Sequence, residues 1–251
     1  MPAPRRLSRL LLLALLVCGV AGFSALGVWQ LKRLHWKRAL IARVEGYLHA
    51  PPIPAPPPAL WPTLDSEREE YRRVVVHGQY VQGAETRTQA VTELGAGYWV
   101  LSPLRTAQGW MVLINRGFVP ADAQAAPPPA GPVTVPGLLR RSEPGGGFLR
   151  TNQPAQERWY SRDVAAIARA RRLQNVAPYF IDAAANPAAT GWPRPGMTVV
   201  RFRNQHLQYA LTWFALALLS AWGLWRVLSD GRRMRHHGPD ADFPPPPDRH
   251  A

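Results

Sequence analysis

One histidine in this sequence stands where it could bind a metal at the edge of a membrane. His206 lies in "RNQHLQYALTWF", residues 203–214, between a polar, arginine-rich stretch and an apolar run from Tyr209 to Val227. Neutral imidazole is the commonest protein ligand for haem iron. The pattern therefore raises the hypothesis of a flat, apolar macrocycle with one metal at its centre. The simpler interpretation is an interfacial histidine solvated by lipid headgroups.

A helical periodicity groups other side chains with His206. On a helix through residues 203–221, the residues sharing its face are Tyr209, Ala210, Trp213, Ala217 and Ser220. This face offers an imidazole at the top, aromatic rings below it and small residues deeper. A second face, which we expect to meet lipid, carries Leu207, Leu211, Phe214 and Leu218.

Two arginines precede the histidine on its polar side. Arg201 and Arg203 lie five and three residues before His206, where they could pair with the propionates of a macrocycle. The alternative is that both only snorkel to the headgroups. The candidate cofactor-binding set is therefore His206, as the metal ligand, with Tyr209, Trp213, Arg201 and Arg203.

The histidine must be positioned by a membrane helix, and the sequence predicts two. Leu10 to Trp29 is a run without a charge, and Tyr209 to Val227 is nearly as apolar; about 20 helical residues span the roughly 30 Å hydrocarbon core. A cleaved signal peptide is the rival interpretation of the first run, but that run is longer than a typical signal core. We therefore expect an uncleaved anchor.

Basic flanks predict the orientation of both spans. Arginines 5, 6 and 9 precede the first span, and arginines 226, 232, 233 and 235 follow the second. The positive-inside rule places both termini in the cytoplasm and, in a bacterium, the central domain in the periplasm beside the plasma membrane. The expected segments are an N-terminal tail 1–9, spans 10–29 and 206–227, a helical extension and proline-rich linker 30–62, an exported domain 63–205 and a proline-rich tail 228–251.

Small residues predict that the two spans pair. Ala14, Cys18 and Gly22 repeat every four residues, as do Ala21 with Ala25 and Ala217 with Ala221. Small residues at this spacing let helix backbones approach closely. An alanine-rich composition explains the same repeats equally well.

The central region has the pattern of an antiparallel α+β domain with a barrel-like or sandwich sheet. A short glycine-containing turn between 97–104 and 110–119 predicts a hairpin. Further strands are expected at 71–81, 177–182 and 197–203, and at 133–141, where Pro136 suggests an edge or bulge. A helix is expected over 161–173, with Ser161 as its N-cap.

Known catalytic patterns do not occur in the exported region. The only cysteine is Cys18, so an intramolecular disulfide and a cysteine-rich metal site are both excluded. Ser-centred, P-loop, Rossmann and zinc-protease motifs are absent. The acidic run Asp65, Glu67, Glu69 and Glu70 is interpreted as a solvated charged segment. A net charge of +14 favours anionic headgroups or acidic protein surfaces, since an exported domain would rarely meet nucleic acid.

Four blocks resemble the surfeit-locus family of cytochrome c oxidase assembly factors. They occur in the expected order, between and within the two spans: "GVWQLKRLHWK" (27–37), "GYWVLSPL" (97–104), "VLINRGFVP" (112–120) and "RNQHLQYALTWF" (203–214). The resemblance covers about residues 24–228. Within these blocks, Gly97, Tyr98, Asn115, Arg116 and Gly117 are expected to be structural, as turn and hairpin residues.

The resemblance implies a protein, not an enzyme, that helps to insert haem a into the catalytic subunit of a haem–copper oxidase. Bacterial members associate a histidine at the start of the second span with haem a binding, and His206 occupies that position. The implied partners are that subunit, the haem a synthesis machinery and membrane lipids; nucleic acid is not expected and a homo-oligomer remains open. The competing hypotheses are a cofactor-free scaffold for an oxidase intermediate and a periplasmic enzyme with an unrecognised site.

Overall fold

A computed structural model describes residues 3–147, 149–187, 190–198, 202 and 204–236. The chain divides into two compact units, residues 1–40 with 202–251, and residues 41–201. The first unit contains most of one long helix paired with a second long helix, and the second unit contains a β-barrel. The helices are α1 (Ala3–His49), α2 (Val164–Ala170) and α3 (His206–His236), with short 3₁₀ turns at Pro58–Thr63 and Pro154–Gln156.

Nine strands are present in the described part of the chain. In order they are β1 (Ile53–Pro54), β2 (Arg73–Tyr80), β3 (Thr86–Thr92), β4 (Gly95–Thr106), β5 (Met111–Pro120), β6 (Pro132–Arg141), β7 (Gly146–Gly147), β8 (Arg150–Thr151) and β9 (Val176–Ala183).

Helix α1 is one continuous element of 47 residues. Prolines bound it at both ends, since Pro4 suits the first turn of a helix and Pro51 cannot continue one. At 1.5 Å per residue its length is about 70 Å, more than twice the thickness of a hydrocarbon core. Its charged C-terminal part, from Lys32 onward, therefore extends beyond the apolar segment that can span a bilayer.

Helices α1 and α3 form an antiparallel pair. Near one end, the Arg9 guanidinium donates to the carbonyl of Val227 at 2.8 Å, and in the middle the Phe23 and Trp213 rings stack with centroids 5.7 Å apart. Both helices are long and apolar enough to span a membrane, and most of their large apolar side chains are exposed in the chain itself. Lipid is the environment that would cover this surface, so the fold is that of a two-span membrane protein.

The pairing uses a different face of α1 from the one that the small-residue repeats predicted. Ala14, Cys18 and Gly22 are exposed, whereas Gly19 approaches the Ser220 side chain and Gly27 approaches the Phe214 ring. The predicted stripe on α1 is therefore wrong, although Ala217 of α3 is buried. Gly19, Phe23 and Gly27 recur every four residues, and the Ser220 side chain and the Phe214 ring of α3 occupy the spaces that the two glycines leave.

The second unit is built on a closed barrel of five strands. The strands pair in the order β2–β6–β9–β5–β4, and β4 pairs back with β2. All of these pairings are antiparallel except β5 with β9. Alternate side chains on β5 and β9, such as Val112, Ile114 and Ile181, fill one core, and their neighbours Leu113 and Phe180 pack with α2. The expectation of a mostly antiparallel, barrel-like sheet is confirmed.

Local signals located most of these elements. The hairpin of β4 and β5 is confirmed. Strand β6, however, lies between β2 and β9 and is not an edge. The Pro136 carbonyl accepts from the backbone N–H of Ala184, so the Pro136 nitrogen also points toward β9. The β6–β9 ladder ends at this position, so no N–H is needed there and proline is tolerated.

Two other expectations about the barrel unit were wrong. Asp163, not Ser161, caps α2, because its carboxylate accepts from the backbone N–H of Ala166. The proline-rich segment 51–62 contains β1, which pairs with β2, and its Pro56 carbonyl accepts from the buried Tyr179 hydroxyl at 2.7 Å. The strand expected at 197–203 is not found at its described residues, Met197, Thr198 and Phe202; the other four lie outside the described residues.

Candidate functional site

His206 is the first residue of α3 and meets α1 through one side-chain hydrogen bond. Its Nδ1 lies 2.8 Å from Oε1 of Gln30. The Gln30 side chain is buried between the helices, and His206 is half-buried. Arg9 and Gln30 are 21 positions apart on α1, about 32 Å along a helix. The two side-chain hydrogen bonds therefore mark the two ends of a membrane-length segment.

The contact with Gln30 determines which ring nitrogen is available. An amide oxygen can only accept, so Nδ1 of His206 carries the proton that it donates to Oε1. In the neutral ring, Nε2 then holds the free lone pair. Within the described residues, Nε2 makes no hydrogen bond. The arrangement therefore presents one imidazole nitrogen that can coordinate a metal.

The other predicted cofactor-binding residues on α3 do not lie together in the helix pair. Trp213 faces α1, where its ring stacks on Phe23, while Tyr209 is 51% exposed on the open side of the helix pair. The structure therefore does not gather the two rings into one wall below the histidine. Arg201 and Arg203 lie outside the described residues.

The predicted lipid-facing set is right for the leucines and wrong for the phenylalanine. Leu207, Leu211 and Leu218 are exposed, but the Phe214 ring lies against Gly27 of α1. The 3.6-residue period alone does not determine whether the Phe214 ring faces lipid or α1. The space at Gly27 decides the direction, because only glycine leaves room there for the ring.

No group of three or more His, Cys, Asp or Glu side chains that could hold a metal ion occurs in the part of the chain that the structure describes. A bare ion needs three or four protein ligands. A porphyrin supplies four nitrogens to its iron, so it requires only an axial ligand from the protein. The single imidazole of His206 therefore suits a haem better than a free ion.

A buried carboxylate in the barrel unit was missed by the sequence analysis. Asp182, on β9, is 3% exposed. It accepts hydrogen bonds from Asn115 at 2.8 Å, Arg140 at 2.6 Å, Arg162 at 3.3 Å and Thr198 at 2.8 Å. One signal could have found it, since an acidic residue ends the otherwise apolar strand "APYFID" and a buried charge needs partners.

The charges around this carboxylate are balanced by further ion pairs. Burial works against the charge of Arg140, but Asp182 and Glu70 outweigh it and raise the pKa of that guanidinium. Burial likewise works against ionised Glu143, but hydrogen bonds from Arg162 outweigh it and lower the pKa of that carboxyl. Glu70, which the sequence analysis placed in a solvated run, therefore belongs to a partly buried network.

The family-block residues of the barrel lie on the strands of the hairpin and not in its turn. Asn115 donates to Asp182 and its Oδ1 accepts from the backbone of Gly117. Gly117 has a φ of +127°, and a Cβ there would lie 2.0 Å from the carbonyl oxygen of Arg194. Gly97 is similarly close to the Val119 carbonyl. These residues let three backbone segments approach one another closely.

One open cleft of about 550 Å³ on the barrel unit lies beside β3 and β4. Its lining includes Tyr98, Arg150 and Tyr160. None of its described lining residues is a histidine, cysteine or carboxylate, so these residues offer an aromatic and cationic surface without an acid–base pair among them.

Comparison with known proteins shows similarity over most of the chain. The sequence model of the SURF1 family matches residues 17–218. Surfeit locus protein 1 of Homo sapiens is 33% identical over 233 residues, covering 84% of this chain and 75% of that protein. The Mus musculus protein of the same name is 33% identical over 221 residues, covering 80% and 70%. A SURF1-like protein of Monosiga brevicollis is 35% identical over 253 residues, covering 93% and 92%.

Proposed function

Because the chain belongs to the SURF1 family, we propose that it is an assembly factor for a haem–copper cytochrome c oxidase. In this proposal it binds haem a and assists its insertion into the catalytic subunit of the oxidase. The observation that carries the proposal is the half-buried imidazole of His206, whose Nδ1 is engaged by Gln30 at the end of a membrane-length helix pair. Nε2 of His206 would then hold the haem iron.

The surroundings of His206 suit cargo that must be released. Tyr209 and Leu207 are exposed beside it, so a flat apolar ring can approach α3 from the lipid side. One axial bond on an open helix face favours transient holding, whereas two strong ligands in a closed pocket would oppose release. Haem a is thus handed on as cargo and is not retained as a resident cofactor.

Arg201 and Arg203 are proposed to orient the haem through its propionates. Both are permanently charged and lie close before His206 in sequence, and a partly desolvated arginine–carboxylate pair contributes about 1.5–3 kcal/mol. Replacing Arg203 or Arg201 with glutamine should weaken haem a binding about tenfold to a hundredfold. If Arg203→Lys and both glutamine variants bind with wild-type affinity, the arginines serve only as membrane anchors.

The alternative is a cofactor-free scaffold that stabilises an oxidase intermediate. Exposed apolar side chains at the tips of the barrel hairpins, Val91, Leu94 and Leu149, favour protein contacts by this unit. Both functions require the catalytic subunit as a partner, but only the first requires haem.

The distinguishing experiment purifies the full-length protein from cells that make haem a and records its absorption spectrum. We expect a Soret band that His206→Ala abolishes or sharply weakens, while the variant remains inserted and folded. His77→Ala is the matched control, because that histidine is exposed on β2 and bonded to Thr134. Full haem occupancy in His206→Ala would show that the iron is held elsewhere, and a wild type without haem would favour the scaffold.

A bacterial plasma membrane, with both termini in the cytoplasm and the barrel unit in the periplasm, is the proposed location. The antiparallel pairing of α1 and α3 supports termini on one side of the membrane. Basic residues at both outer flanks support the cytoplasm as that side. The three relatives named above are eukaryotic.

A further inference from the structure

Gln30 is a polar residue on a buried apolar stripe of α1. Its neighbours on that stripe, Gly27 and Leu34, are also buried, and its own side chain is only 9% exposed. A buried amide costs free energy unless it is hydrogen-bonded. Its carbonyl oxygen satisfies that requirement through Nδ1 of His206, 176 positions away in the chain.

This contact has a chemical consequence beyond holding two helices together. A neutral histidine can carry its proton on either ring nitrogen, and only the tautomer protonated at Nδ1 offers Nε2 to a metal. The Gln30 oxygen stabilises that tautomer and fixes the rotation of the ring. An acceptor on Nδ1–H also makes Nε2 a stronger donor to iron.

We propose that Gln30 is a positioning residue for the haem-binding imidazole, acting through His206 and not touching the haem. It selects the Nδ1-protonated tautomer and sets the donor strength of Nε2. The inference rests on the proposed haem a binding by His206. A purely structural role for Gln30, in which its amide only joins α1 to α3, would leave the iron–nitrogen bond unaltered once haem is bound.

The test titrates haem a into the full-length protein in detergent and compares wild type with Gln30→Leu and Gln30→Glu. Leucine removes the acceptor and retains an apolar side chain, whereas glutamate keeps the position of the acceptor and adds negative charge. The matched control is Gln208→Leu. Gln208 is exposed and lies two residues from His206, about 200° around the helix, so it cannot reach the ring edge that Gln30 contacts.

Two readouts separate positioning from structure. Affinity should fall about tenfold to a hundredfold in Gln30→Leu, as is typical when the partner of a metal-bound histidine is lost. Resonance Raman spectra of the ferrous complex should show the iron–imidazole stretching band moving down in frequency in Gln30→Leu and up in Gln30→Glu. Gln208→Leu should match wild type in both measurements.

An unmoved stretching band in both Gln30 variants, at wild-type affinity, would overturn this inference while leaving His206 as the haem ligand. Should Gln30→Leu fail to fold, judged by thermal unfolding without haem, the band of Gln30→Glu decides the question alone. Failure of the proposed function gives a different result, since the wild-type protein would then bind no haem a or His206→Ala would retain it.

Discussion

The buried carboxylate of Asp182 allows a quantitative prediction. Asp182→Asn keeps the size of the side chain and removes its charge, leaving Arg140 and Arg162 with one carboxylate partner each, Glu70 and Glu143. It also forces an amide to meet several donors, one of them Asn115. Removing one partner of a buried ion pair costs about 3–5 kcal/mol. Because both arginines keep a partner, we expect the lower end, about 3 kcal/mol.

Hydrogen–deuterium exchange of peptides from β5, β6 and β9 measures this loss without interference from the membrane helices. A destabilisation of about 3 kcal/mol raises the opening equilibrium of the barrel roughly a hundredfold, so its slowest amides should exchange about a hundred times faster. The midpoint temperature of thermal unfolding should fall by roughly 6–12 °C for a unit of this size.

Glu157→Gln is the matched control. Glu157 also pairs with an arginine, Arg171, but it is 59% exposed, and exposed pairs contribute about 0–1 kcal/mol. Exchange in this variant should remain within about fivefold of wild type. If Asp182→Asn exchanged no faster than Glu157→Gln, the conclusion that the buried carboxylate holds the barrel strands together would be refuted.

Three further predictions concern backbone space and topology. Gly117→Ala should destabilise the barrel by more than about 2 kcal/mol, because φ is +127° and the new Cβ would lie 2.0 Å from a backbone oxygen. The control, Gly83→Ala, lies in open space at φ +73° and should cost about 1 kcal/mol. Equal losses of stability in the two variants would contradict the steric argument. Gly27→Leu should force α1 and α3 apart in spin-label distance measurements, whereas Gly22→Leu, with nothing within 4 Å, should not; an unchanged distance in both would reject the pairing. Reporter fusions at Gly131 and at the C-terminus should lie on opposite sides of the membrane, and the same side for both would exclude the two-span topology.

The sequence determined those features that depend on neighbouring residues. Long charge-free runs predicted two spanning helices, and a glycine turn between two apolar runs predicted the β4–β5 hairpin. His206 was selected as a candidate ligand by its position at the boundary of an apolar run. Periods, turns and charge gaps are local properties, so one sequence is sufficient to detect them.

Tertiary structure decided which distant residues meet. The sequence does not reveal that β2 closes onto β4 or that β6 lies between β2 and β9. It also does not reveal that Asp182 accepts hydrogen bonds from four other segments of the chain. Helical period placed Phe214 toward lipid, but the gap left by Gly27 turns it toward α1. The partner of His206 is likewise determined by packing, because Gln30 lies on the other helix and the tautomer that it selects depends on a contact between residues 176 positions apart.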